Sequence, residues 1–125
     1  MSEKKKEILI IDDSTDAIKV LIKVLTPEFT VYFSTDGFKG IEQAKDKKPD
    51  LILLDILMDK INGYEVCKLL KRDKETADIP VIFLTAVSES MDEAQAFSIG
   101  GADYITKPFV PVVVLARIRN HIKLT

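Results

Sequence analysis

Cysteine occurs once in the 125 residues, at Cys67, which excludes an internal disulfide and a multi-cysteine metal site. A reducing compartment, the cytoplasm, is the expectation that follows. Charge of one sign is lacking too. Eighteen Lys and Arg against 20 Asp and Glu leave a net charge of −2, so no overall field draws nucleic acid to the chain. Long hydrophobic runs are also missing. The first apolar run covers only residues 8–11, too short for the core of a secretory leader, and no run approaches the ~18 residues of a membrane helix. The lysine run Lys4–Lys6 reads as a solvated, disordered end (residues 1–6) that keeps the first strand soluble.

What is present suits a folded domain: 46% hydrophobic and 30% charged residues, in a length sufficient for one core. Apolar runs of strand length alternate with segments of helical period. ILII (8–11), LILL (51–54) and VIFL (81–84) are apolar on both faces, as parallel strands covered by helices on both sides require. A stripe of Ile18, Leu21, Ile22 and Leu25 marks a first helix that ends before Pro27. FTVYFS (29–34) reads as a second strand, followed by a helix over 38–47. That helix contains Gly40, an expected cost of about 0.5–1 kcal/mol against alanine. Asn62-Gly63 opens a third helix over 63–71, with Val66, Leu69 and Leu70 inward. A fourth helix is expected over 89–99, a fifth strand over 102–106 and a last helix over 111–124, opened by Pro111. Five strand–helix repeats predict a doubly wound α/β domain with a five-stranded parallel sheet.

Ligands of such sheets bind beyond the carboxyl ends of the strands. Here the first strand exits into Asp12 and Asp13, the third into Asp55, the fourth into Thr85 and the fifth into Lys107. A single aspartate at a strand exit is often a helix cap, and Asp12 has that alternative beside Ser14. Four exits out of five carrying such groups need another reason. At an effective dielectric of about 20, two carboxylates ~4 Å apart repel by about 4 kcal/mol, so the acids call for a counter-cation. All-oxygen donors suit Mg²⁺, which keeps waters and accepts phosphate oxygens. An ammonium beside a hydroxyl complements the other oxygens of a phosphoryl group, and an aspartate can carry an acyl phosphate.

The blocks ILIIDDS, PDLILLDILMDKINGYE, IPVIFLTA and GADYITKPF, in this order and spacing, resemble the receiver domain of two-component response regulators. The resemblance covers nearly the whole chain, 1–125 being read as one receiver domain, free-standing or part of a longer protein. It implies a flavodoxin-like (βα)5 fold with strand order 2-1-3-4-5. It also implies a phosphorylation-dependent signalling switch without turnover of a diffusible substrate. A histidine kinase or phosphotransfer protein would phosphorylate Asp55. Asp13 would hold Mg²⁺ directly and Asp12 through water, with Asp55 and the Leu57 backbone carbonyl completing the set. Thr85 and Lys107 would bind phosphoryl oxygens, Tyr104 would report the state by its rotamer, and the Lys107–Pro108 bond would be cis. The output would be a change of the surface made by the fourth helix, fifth strand and fifth helix. That surface would meet an output domain, a downstream protein or a second copy, without contact to nucleic acid or membrane.

Departures from the family pattern bear on these expectations. Asp59 stands where relatives usually have proline, which adds negative charge and loosens the loop. Leu57 and Val87 flank the site and are apolar, so neither orients an attacking water, and slow to moderate self-dephosphorylation is expected. Val110, Val112 and Val113 stand where acids are common, and are read as a contact face. His121 is read as a surface residue at a helix end, Cys67 as half-buried. Three rival readings are open to the residues. A pseudo-receiver that binds a partner regardless of phosphate is opposed by the intact acids, Thr85 and Lys107. A haloacid-dehalogenase-type hydrolase needs an acid at position 57, and a flavin protein needs a phosphate loop after the first strand. Neither is present.

Overall fold

The structure, a computed structural model, describes residues 4–86 and 93–122, at 93–95 by backbone alone. Val87 and the expected helix residues 89–92 and 123–124 lie outside that range. In chain order the elements are β1 (Glu7–Ile11), α1 (Thr15–Leu25), β2 (Thr30–Ser34), α2 (Gly37–Lys47), β3 (Leu51–Asp55), α3 (Gly63–Arg72), β4 (Val81–Ala86), α4 (Glu93–Ser98), β5 (Asp103–Lys107) and α5 (Pro111–His121). All pairings are parallel, in the order β2-β1-β3-β4-β5.

The continuous apolar strands are buried on both faces, as their composition requires. Alternate residues point to opposite sides. Ile8, Ile10, Leu51, Leu53, Ile82 and Leu84 pack against Ile18, Leu21 and Leu25 of α1 and against Val114 and Ile118 of α5. Leu9, Ile11, Ile52, Leu54, Val81 and Phe83 face Ala44, Val66, Cys67, Leu70 and Ala96 on α2, α3 and α4. Three helices open on side-chain caps: Ser14, Asp36 and Asn62 accept from the backbone N–H groups of Ala17, Lys39 and Glu65. Asn62-Gly63 is thus a strand-to-helix turn and not a hairpin.

Several boundaries shift by a residue for visible reasons. Phe29 is not part of β2, because its N–H bonds the Leu25 carbonyl at 2.8 Å and finishes α1. Lys107 belongs to β5, paired with Ala86. Two expectations are corrected outright. Cys67 is fully buried, not half-buried, with its thiol 3.7 Å from the Ile99 carbonyl. Gly40 is no defect to be repaired: an added Cβ would lie 2.6 Å from Ile11 Cδ1, so α2 approaches β1 only because that position has no side chain. His121 has a specific partner, its Nε2 standing 3.1 Å from Asp103 Oδ2. The surplus valines are exposed, Val112 most of all at 77%.

Candidate functional site

The acids sit at the carboxyl ends of the two central strands. Asp12 follows β1 and is fully buried, while Asp55 ends β3 and is 5% exposed. Asp13 reaches solvent. Carboxylate oxygens of all three lie within 4.8 Å of one another. Asp12 Oδ1 accepts from the Ser14 N–H at 2.9 Å, and Asp13 Oδ2 accepts from the Asp59 N–H at 3.4 Å. The acids are therefore partly held by backbone donors before anything binds.

Lys107 at the end of β5 supplies the one cation among the described residues that reaches the buried pair. Its Nζ is 3.2 Å from Asp12 Oδ2 and 3.6 Å from Asp55 Oδ1. The approach to Asp12 is electrostatic and not aligned as a hydrogen bond, so Asp12 Oδ2 is buried without a donor. Burial works to lower the Lys107 ammonium, yet the charges of Asp12 and Asp55 outweigh it and hold the group above its ordinary value. Asp55 is pushed up to about 7 from 3.8, first by burial and then by the Asp12 charge, with Lys107 opposing. One lysine does not neutralise three acids. The donor set, all oxygen with one buried acceptor unsatisfied, fits a hard divalent cation.

Thr85 near the end of β4 is buried beside this pair of strands, its hydroxyl donating to the Ala86 carbonyl at 3.4 Å. Tyr104 on β5 is half-buried, with the Arg117 guanidinium 5.2 Å from its ring centroid. The Lys107–Pro108 peptide is cis, as expected. Leu57 is 57% exposed in the β3–α3 loop.

Two features of that loop were not legible beforehand. Gly63 closes it: an added Cβ would lie 2.2 Å from the Asp55 carbonyl oxygen, and the Gly63 N–H bonds the Ile56 carbonyl at 2.7 Å. The start of α3 thus rests on the backbone of the site's central acid. Asp59, which stands where relatives usually have proline, contributes through its N–H to Asp13. The glycine's place after an N-cap was a signal for the first feature. Nothing local signalled the second.

Paired acids, a third acid, a hydroxyl and a lysine thus share one rim of a parallel sheet. The chain belongs to the response regulator receiver domain family, whose model matches residues 8–119. It is 41% identical over 121 residues to the DNA-binding dual master transcriptional regulator RpaA of Synechocystis, covering 94% of this chain and 49% of that protein. The chain thus spans about half the length of the curated relatives it matches. Among solved structures, the response regulator domain of Thermotoga maritima CheB superposes with a TM-score of 0.83 at 30% identity, covering 94% and 96% of the two chains. Vibrio cholerae CheY4, at 21% identity, shares the fold with a TM-score of 0.87, covering 95% of this chain and 100% of that one. Among the described residues no helix is long and apolar enough to cross a membrane.

Proposed function

We propose that this chain is a phosphorylation-controlled switch of a two-component system, acting in the cytoplasm, with Asp55 as phosphoacceptor. The observation that carries the reading is the cluster itself: three carboxylates within 4.8 Å, the central one pushed up to about 7, beside a single lysine. Asp12, Asp13, Asp55 and the Leu57 carbonyl would hold Mg²⁺. When bound, that ion offsets the acids' charge and takes up oxygens of an incoming phosphoryl group.

The residues divide the remaining work. An Asp55 carboxylate oxygen attacks phosphorus while the P–N bond of a kinase phosphohistidine breaks and the imidazole keeps the electron pair. Lys107 faces the new charge with its ammonium, and the Thr85 hydroxyl is free to turn from its long Ala86 bond toward a phosphoryl oxygen. Tyr104 then moves inward. The surface of α4, β5 and α5 changes population, with half-exposed Phe97 and the exposed valines available to a partner or second copy. No diffusible substrate is turned over. An output module, such as the DNA-binding function that the name of the Synechocystis relative describes, would lie outside these 125 residues.

Intact-mass spectrometry after treatment with Mg²⁺ and a small acyl-phosphate donor tests the reading, with Asp55→Asn as control. One added phosphoryl group, absent in the variant, is expected. An unmodified chain, as a pseudo-receiver would give, or a label that persists in the variant, refutes it.

A further inference from the structure

The β3–α3 loop carries a feature the phosphoryl chemistry does not use. Lys60 has φ +69°, the left-handed region that residues with a side chain seldom adopt. From there its ammonium reaches 3.3 Å from Asp36 Oδ2, across 24 residues of sequence. The other Asp36 oxygen caps α2, accepting from the Lys39 N–H at 3.0 Å. One residue before Lys60, the Asp59 N–H points at Asp13 Oδ2, and the Asp59 carbonyl accepts from Ile61 at 2.7 Å. A continuous path therefore runs from the start of α2 through Asp36, Lys60 and the Asp59 amide to the exposed member of the acid cluster.

We propose that the Lys60–Asp36 pair is a latch that holds the Asp59 amide against Asp13 and so presents that carboxylate to the cation. Lys60 is a positioning residue, not a catalytic one. The inference rests on the reading that the acids hold Mg²⁺. Asp13 reaches solvent, so its side chain must otherwise be ordered when the ion binds. Fixing the loop beforehand removes that cost from binding. Proline is absent from this loop, so its order depends on tertiary contacts of this kind. The Lys60 side chain is 71% exposed, which makes the latch modest in strength and sensitive to salt.

A double-mutant cycle with Lys60→Gln and Asp36→Asn tests it, since asparagine keeps the cap on α2 while losing the charge. Mg²⁺ affinity is read by calorimetry at low and high salt, and Asp59 amide exchange by NMR without metal. Each single variant is expected to raise the Mg²⁺ Kd about two- to fivefold at low salt, with the double no worse than either single. The difference should fade at high salt, and the metal-free Asp59 amide should exchange faster in the variants. Uptake indifferent to both substitutions, or effects that multiply in the double variant, overturns the latch alone. Absence of Mg²⁺ uptake by the unaltered chain overturns the reading of the site and the latch with it.

Discussion

Replacing Asp55 by asparagine should stabilise the metal-free protein, and by an amount that depends on pH. The carboxyl titrates at 3.8 when unfolded and at about 7 in the fold, so between these values the native state binds a proton that the unfolded chain releases. Stability contributed by that proton is present below pH 3.8 and is lost as pH rises through 7. At ~1.4 kcal/mol per decade the whole window is a ceiling of about 4 kcal/mol. About 2–3 kcal/mol of it falls between pH 5 and pH 8. Asparagine carries no such liability, and Lys107 keeps Asp12 as a partner at 3.2 Å. Urea unfolding with a chelator, followed by circular dichroism, should show the variant's lead growing by about 2–3 kcal/mol from pH 5 to pH 8. Added Mg²⁺ should shrink that lead by stabilising the unaltered chain. Parallel pH profiles for the two proteins would refute the claim that burial and Asp12 hold Asp55 in its protonated form.

Gly40→Ala should lower stability by about 1–3 kcal/mol in thermal denaturation, despite alanine's better helix propensity, because the new methyl meets buried Ile11. Gly63→Ala should cost at least as much and should also depress phosphoryl uptake in the mass assay, since its methyl displaces the Asp55 carbonyl. The Cys67 thiol, pushed up to about 11 chiefly by burial, should resist a disulfide reagent in the native state. Its labelling rate should rise steeply across the urea transition.

Much of the architecture was readable because its signals are local. Runs such as ILII and LILL announce strands buried on both faces, and the polar residue that ends each run marks the rim where ligands bind. The acids at 12, 13 and 55 were found in that way, and the fold brings them together. Features set by contacts between distant segments were not readable. Gly40 looked like a weakness because Ile11 lies 29 positions away in sequence. Cys67 looked half-buried because a helical period gives a face but not its depth. The loop from Asp55 to Gly63 looked loose for want of proline, yet its backbone is held by Asp13 and by Gly63's close approach, and neither partner is implied by the local residues.

The sheet divides the site's charges unequally. Its anions are anchored on interior ribbons with neighbours on both sides, whereas Lys107 terminates a marginal ribbon bonded along one side only. The counter-charge is thus attached to the more yielding part of the scaffold. An electrostatic disturbance at the middle can be absorbed by the periphery, leaving the packed interior as it was.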